Sequence, residues 1–537
     1  MFLQLLRRLV AFFLRTIVRF LANLLFSVKT HGVEHYPALQ DKTVIIANHQ
    51  SPMDSFFLYL FLPVPPLITI YEGEGKRFLA RIFLFFVDHA VVNPSEPNSL
   101  LTLIEKIEKN QHVLIFPEGN AWRSNSIAKI YGGIELLIKK AEAKLLPVAI
   151  SGLSYCSIGA KPNKRGRELF PSVSIKILKP SEHSDSIKSN RATGVKARLL
   201  DAYYEAGLSH TSLFESLAIA SKTHRGLGNI VEDITGMTLN YRQLLTKIFA
   251  LAVIISKLSR SNERIGIMLP NTCAGVVAFF ACQLLGKQTC MLNYTAGSKG
   301  VISAIKFANI DLVISSNRFI KNAELQNVAE EIKKNTQLVY LENAAQFINP
   351  LEKLRSLLAS LIPSLAADAL YGRPPASASA VILFTSGSEG NPKAVVLSHR
   401  NLLANFSQVR MLIELNDEDY ILNALPFFHC FGLMAGMLLP LLGGTRIFEY
   451  PNPLHYRIIP EICYQRQVTC LWGTPTFLRG YGLAADSLDM RSLRFVVSGA
   501  EKLSEEVYNL WNDKFGIRIF QGYGVTEASP VIATNYP

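Results

Sequence analysis

From residue 42 onward, short apolar runs alternate with helical runs. That alternation restricts the chain to an α/β class in which helices pack on largely parallel sheets. In the first part the strand candidates are 43–47, 112–116, 145–150 and 173–178, with helical runs near 52–62, 99–109 and 131–143. Residues 180–192 are polar and Ser-rich and read as linker, with a helix near 194–206 after it. A second α/β region opens near 213. There Asn240 and Gln243 form a capping box ahead of an apolar helical run. Its strand candidates are 264–268, 312–315, 380–385 and 495–498, and the Pro/Ala/Ser-rich stretch 361–379 reads as a connector. The expected organisation is a helix over 1–30, one domain over 31–180, a linker over 181–212 and a second domain over 213–537.

At 537 residues the chain has room for about three or four domains of roughly 150 residues. Its 49% hydrophobic and 18% charged content excludes disordered, collagen-like and coiled-coil proteins. Seven cysteines without a CxxC pair argue against a disulfide scaffold or structural zinc and for a reducing compartment. The net charge of +13 is uneven. Residues 1–200 carry 26 Lys and Arg against 15 Asp and Glu, whereas residues 201–537 carry 29 against 27. A basic, apolar first part suits an anionic membrane surface. With no zinc-finger, RNP-like or Arg-rich recognition pattern, a nucleic-acid partner is not expected.

Residues 1–28 are dense in Leu and Phe. At about 100° per residue, Arg8, Arg15 and Arg19 fall within about 40° of one another, with Arg7 beside them. The longest charge-free run, Phe20 to Val28, is too short to span a bilayer. A helix lying in the headgroup layer, arginines toward phosphate, fits better than a span, with a signal-like segment or a helix packed on the protein as the alternatives. Three later charge-poor stretches, 55–71, 265–286 and 420–445, read as buried strand–helix units.

Two constellations carry chemistry. Asn48-His49-Gln-Ser-Pro-Met-Asp54 follows a strand candidate. With Pro52 in the first turn of the next helix, Asp54 falls one turn inside and can orient the imidazole of His49, whose other nitrogen removes a proton from a hydroxyl. Phe116-Pro117-Glu118-Gly119 ends another strand in a tight turn, where backbone N–H groups, Arg123 and Lys129 are candidates to hold a phosphate. His49-x4-Asp54, Phe116-Pro-Glu-Gly119 and Leu146-Pro147-Val148 together resemble the glycerolipid acyltransferase family over residues 30–180. The resemblance implies His49 as general base on a glycerol hydroxyl, Asp54 as its orienter, Glu118 and Gly119 as the acceptor platform, and no covalent acyl-enzyme. Asn120 stands where that family usually has Arg, and Val87–Pro94 lacks the arginine of its second block, so the phosphate site must be built differently. His89 in that block reads as an ordinary surface or packing residue.

The second constellation begins with a strand entering the Gly/Ser/Thr loop Thr385-Ser386-Gly387-Ser388-Glu389-Gly390, followed by Lys393. Its glycines permit close backbone approach, and its hydroxyls and lysine suit phosphate. Further blocks follow in order: Pro426-Phe-Phe-His429, Gly499-Ala500-Glu501 and Gly522-Tyr523-Gly524-Val-Thr526-Glu527. The four blocks resemble the adenylate-forming superfamily over residues 213–537. The resemblance implies ATP phosphates at Thr385–Lys393 and an adenine wall at Gly499, Ala500 and Glu501. It also implies an acyl-pocket edge at His429, nucleotide contacts at Tyr523, Gly524 and Thr526, and Mg²⁺ at Glu527. The family's ribose-binding Asp, hinge and small mobile domain with its catalytic Lys would fall after Pro537. Impaired synthetase activity, or a separate chain supplying that part, is therefore the expectation.

The fused order, with segments such as Tyr241–Lys247, Leu292–Gly297 and Pro453–Arg457, resembles bacterial bifunctional acyltransferase/synthetases. That resemblance implies free fatty acid loaded onto acyl carrier protein with ATP and Mg²⁺. The acyl group then passes to a lysophospholipid, 2-acylglycerophosphoethanolamine, at the cytoplasmic face of the inner membrane. Two alternatives stand beside it: a lysophosphatidic-acid acyltransferase fused to an acyl-CoA ligase, and an acyltransferase with an inactive ligand-binding scaffold.

Overall fold

A computed structural model describes residues 2–535 apart from 39, 72–82, 94–96, 120–129, 131–132, 155, 158–168, 182–192, 208–210, 225–227, 260–263 and 387–391. The chain forms two compact units, Met1–Leu208 and Ser209–Pro537.

The first unit is built on seven strands: β1 (Lys29–His31), β2 (Thr43–Ala47), β3 (Leu67–Tyr71), β4 (His89–Val92), β5 (Val113–Ile115), β6 (Lys144–Ser151) and β7 (Ser174–Ile177). Their order across the sheet is β1-β7-β6-β2-β5-β3-β4, parallel except for the β6–β7 pair. The central β2, Thr-Val-Ile-Ile-Ala, is buried at every residue, as a β-branched run covered on both faces should be. Its alternate residues enter two cores. Ile45 and Ala47 pack with Phe57, Leu58 and Phe26, whereas Val44 and Ile46 pack with Leu103, Ile107 and Leu137. The helices are α1 (Phe2–Phe26) and α2 (Asp54–Phe61) on the first face, and α3 (Pro97–Glu108), α4 (Gly133–Ala141) and α5 (Thr193–Gly207) on the other. The stretch read as linker over 181–212 therefore contains α5, whose Val195 and Leu199 are buried in the first unit's core.

Helix α1 packs on the first unit, and its Arg15 points inward, not outward as the headgroup reading expects. Its Ala22 and Phe26 enter the core, and Phe26 meets Phe57 edge-on at 4.9 Å. Arg15 turns inward, its Nη2 donating to the carbonyls of Leu62 at 2.6 Å and Leu60 at 3.3 Å. A guanidinium there completes orphan carbonyls at the end of α2 and opposes the helix dipole. Arg19 sits over the Phe61 ring at 5.3 Å. Phe20 (69% exposed) and Leu24 (70%) remain outside. Among the described residues, no helix is long and apolar enough to cross a membrane.

The second unit holds two sheets. One orders β13 (Gln337–Tyr340), β12 (Ile310–Ser315), β10 (Arg264–Ile267), β11 (Gln288–Met291), β14 (Ser379–Ser386) and β15 (Pro392–Ser398). The other orders β21 (Val531–Thr534), β20 (Ile519–Gly524), β19 (Phe495–Ser498), β18 (Cys470–Gly473), β16 (Tyr420–Asn423), β17 (Arg446–Glu449), β8 (Val231–Asp233) and β9 (Thr238–Leu239). The helices used below are α6 (Leu213–Thr223), α7 (Tyr241–Leu258), α8 (Cys273–Leu284), α9 (Pro350–Ala359) and α10 (Pro363–Tyr371). Asn240 caps α7 with the full capping box. The charge-poor stretch 265–286 forms β10 and the almost wholly buried α8. The expected connector 361–379 instead carries α10, with Pro363 in its first turn. All seven cysteines are free and buried.

Two buried imidazoles of this unit stay neutral. His399 Nδ1 accepts from the Leu213 N–H at 3.2 Å, and burial pushes its pKa down to about 4. Burial, aided by the charge of Arg410, takes His224 down to about 3. Because these folded-state values lie below the ordinary value of about 6.5, their contribution to stability is present above that pH and is lost as pH falls toward 4 and 3. The unfolding free energy from urea titrations followed by the buried Trp472 and Trp511 should therefore fall below pH 6.5, on the order of 1.4 kcal/mol per pH unit per proton taken up. The His399→Gln variant should show a shallower slope.

Candidate active site

The first unit's topology brings its two motifs together. Strands β2 and β5 are adjacent and parallel, with Val44 opposite Val113 and Ile46 opposite Ile115, so the turns leaving them emerge at one sheet edge. His49 lies just past β2, and Glu118 just past β5. Glu118 Oε1 accepts the His49 backbone N–H at 3.1 Å, tying the turns together. Gly119 holds φ +71°, which lets the turn close with its N–H on the Phe116 carbonyl at 3.1 Å.

The imidazole is fixed from three sides. Asp54 Oδ2 lies 3.0 Å from His49 Nδ1 and also accepts the N–H groups of Gln50 at 2.6 Å and Ser51 at 2.7 Å. A carboxylate that accepts those bonds makes Nδ1 the donor and leaves Nε2 as the proton acceptor. The ring stacks on Phe116 at 4.2 Å, and His49 is only 7% exposed. Asn48 anchors the start of the turn with a paired bond to the Ile150 backbone, 2.9 Å in each direction. Helix α2 begins at Asp54 itself, with Pro52 and Met53 in the preceding turn, so Asp54 is the first helical residue and not one turn inside.

Gln50 Nε2 donates to the hydroxyl of Tyr203 on α5, a partner the sequence reading missed. The pairing spans 153 positions, and no local spacing announces it. His89 is an exposed strand residue whose Nδ1 lies 3.0 Å from the Val87 carbonyl. Asn120, Arg123 and Lys129 lie outside the described residues.

In the second unit, strands β14 and β15 pair antiparallel with Thr385 opposite Lys393, and Lys393 is exposed. The intervening Gly387, Ser388 and Gly390, with the side chain of Ser386, lie outside the described residues. Strands β19 and β20 run parallel side by side, so Gly499–Glu501 and Tyr523–Glu527 leave the same sheet edge. Gly499 packs against Phe431, where an added Cβ would come within 3.0 Å of the ring. That contact joins the Gly499 block to the segment after His429. His429 is exposed, tilts against Phe428 at 4.7 Å, and has its pKa lowered by the apolar bulk around it. It precedes a π-helical turn, Met434–Leu438, of the kind often found at functional sites. Burial raises the pKa of the Cys430 thiol, and the negative charge of Glu527 adds to the shift. The turn Thr526–Ala528 packs against β15. The described part of the first block on β15 and the turn at Thr526–Ala528 are thus in contact, and the Gly499 block meets the segment after His429.

The Glu501 carboxylate accepts from the Thr476 hydroxyl at 2.6 Å and so anchors the start of the helix Pro475–Ala484. Ala500 before it adopts φ +70°, a left-handed conformation strained for a residue with a Cβ. Glu527 is exposed, so its carboxylate is open to a Mg²⁺ ion completed by substrate phosphates and water. Among the described residues, no group of three or more His, Cys, Asp or Glu is placed to hold a metal by itself.

Residues 224–537, more than half the chain, match the family described as AMP-binding enzyme. The chain belongs to that family. Residues 27–151 match the family described as Acyltransferase, so an acyltransferase domain precedes the adenylate-forming one. The similar curated proteins include 4-coumarate–CoA ligase 1 of Petroselinum crispum, 27% identical over 63% of this chain and 61% of that protein. Acyl-CoA ligase SID4 of Ajellomyces capsulatus is 26% identical over 61% and 57%. The chain spans about three fifths of the length of these relatives. Among solved structures, VinN aligns with TM-score 0.51 at 20% identity over 62% of this chain and 80% of that one. The anthranilate CoA ligase AuaEII in complex with anthranoyl-AMP aligns with TM-score 0.52 at 16% identity over 61% of each. These likenesses show the fold. An AMP-binding domain of this family implies use of ATP.

Three outcomes follow from the geometry. In Asp54→Asn the amide oxygen can replace Oδ2 as acceptor for the Gln50 and Ser51 N–H groups and for Nδ1, but the negative charge that stabilises the imidazolium is gone, so acyl transfer should fall about 10²–10⁴-fold with little change in melting temperature. His49→Ala should lower it at least as far in the same steady-state assay. Ala500→Gly should raise the urea-derived stability of the second unit by about 0.5–1 kcal/mol, because the left-handed backbone then costs less.

Proposed function

We propose that this chain remodels phospholipid. In this reading the first unit transfers an acyl group from acyl-[acyl-carrier-protein] to the free hydroxyl of 2-acylglycerophosphoethanolamine. The second activates free fatty acid with ATP and Mg²⁺ for loading onto the carrier protein, at the cytoplasmic face of a bacterial inner membrane. The observation that carries it is the His49–Asp54 pair, tautomer fixed, tied through Glu118 to the turn after β5. Nε2 takes the hydroxyl proton while the oxygen attacks the thioester carbonyl. The C–O bond forms, the C–S bond breaks, and the imidazolium returns the proton to the departing thiolate. The family assignment supports acyl transfer and acyl activation in general terms.

Two features support a phosphodiester acceptor. Asn120 follows the Glu118-Gly119 turn, and no arginine occurs between Val87 and Pro94, so the sequence lacks the cations a dianionic phosphomonoester would need at these points. The apolar outer face of α1 supports contact with lipid. A second reading, with coenzyme A as the thiol, is favoured by the names of the curated relatives, which are CoA ligases.

With acyl donor in excess, initial rates on lyso-phosphatidylethanolamine should exceed those on lysophosphatidic acid by at least about tenfold. A preference for the monoester would refute the acceptor assignment. Running the fatty-acid- and ATP-dependent reaction with carrier protein or with coenzyme A as sole thiol separates the two readings. Fatty-acid-dependent pyrophosphate exchange excludes an inert scaffold.

A further inference from the structure

Helices α9 and α10 present a large apolar surface that the acyl chemistry does not use. On α9, Leu351 (65% exposed), Leu354 (51%), Leu358 (54%) and Leu361 just beyond its end lie outward, while Ser356 and Ala359 face the protein. Ile362 and Leu365 (68%) continue the patch into α10. Soluble surfaces rarely expose contiguous apolar patches of this kind without a partner.

The charges around it are one-sided. Lys353 and Arg355 are the sequence neighbours of Leu354, so each lies about 100° around the axis from it, one on either flank of the leucine stripe. Both are exposed, and neither has an ion pair among the described residues. The nearby acids are occupied. Glu352 accepts Lys257 at 2.8 Å, and Asp368 is held by Arg373 at 2.6 and 3.0 Å. The Thr246 hydroxyl bonds Ser360 at 2.9 Å, which brings the exposed Lys247 of α7 to the end of the stripe. This local excess of cations stands in a region, residues 201–537, whose charges otherwise nearly balance.

We propose that α9 and α10 form a second lipid-contact surface, on the adenylate-forming unit, that docks on an anionic bilayer. An apolar stripe flanked by long basic side chains is the pattern of a helix lying in the headgroup layer, leucines downward and cations reaching phosphate. A protein partner is the poorer fit. The exposed stripe from Leu351 to Leu365 offers aliphatic side chains, whereas interface cores favour aromatic residues and methionine. The docking would hold the activating unit where free fatty acid is dissolved, and it does not depend on which acceptor or thiol the enzyme uses.

The test uses the full chain with Leu358→Cys, labelled with an environment-sensitive dye, the seven native cysteines being buried. With vesicles of phosphatidylethanolamine and phosphatidylglycerol the emission should shift to the blue and iodide quenching should fall at least threefold. Phosphatidylcholine vesicles should do this weakly. Adding Lys353→Gln and Arg355→Gln should raise the lipid needed for half of the shift by at least about tenfold. Protein that sediments with anionic vesicles while the label stays open to iodide would overturn the proposal. So would a label shielded before lipid is added, or one shielded by an acidic carrier protein but not by vesicles.

Discussion

The first site depends on one carboxylate oxygen. Asp54 Oδ2 receives two backbone N–H groups from the turn that presents His49 and the ring nitrogen of His49 itself. The bonds that shape the turn are thus the bonds that fix the tautomer, and with Asp54 wholly buried, water does not compete for them. The sheet supplies the second half: because β2 and β5 are parallel neighbours, Glu118 reaches the backbone of His49 without any long loop. A base set this way requires no rearrangement of its own before it accepts a proton, which is the form of preorganisation an alcohol of ordinary acidity demands.

How much of this is legible in sequence follows from the range of each interaction. The His49-x4-Asp54 pairing closes within a single turn and leaves a local signature, as does the capping box at Asn240. The strand candidates were recoverable because buried parallel strands read as short β-branched runs. The Asn48–Ile150 and Gln50–Tyr203 bonds join residues more than a hundred positions apart and leave no spacing to read. Proline misled at 361–379. Taken as a breaker, Pro363 is instead a first-turn residue, where its fixed φ and missing N–H cost nothing.

Helix α1 shows a different limit. A periodic stripe of arginines says that two faces differ, and it does not say which one packs. In water the reflex is to point cations outward, yet the free carbonyls of Leu60 and Leu62 offer Arg15 a better partner. Drawing the guanidinium inward leaves Phe20 and Leu24 on the outside, so the helix offers hydrocarbon where charge was expected. Which face of such a helix packs is therefore set by partners elsewhere in the fold, here the carbonyls at the end of α2 and the core around Phe57.

The candidate nucleotide edge follows a contrasting logic. There the blocks are brought together by side chains packed against glycines, as Phe431 against Gly499, and by a backbone held in a strained form at Ala500. The strain persists because Glu501 is fastened to the start of the helix Pro475–Ala484 through Thr476. Relieving it would cost that anchor its geometry, so the segment stands in one shape against a substrate whose own charge it must meet. The candidate base His49 is thus fixed by hydrogen bonds around one acid, and the candidate nucleotide edge by close packing and stored backbone strain. The two halves can therefore lose function by different routes: the first through loss of a proton acceptor, the second through loss of shape.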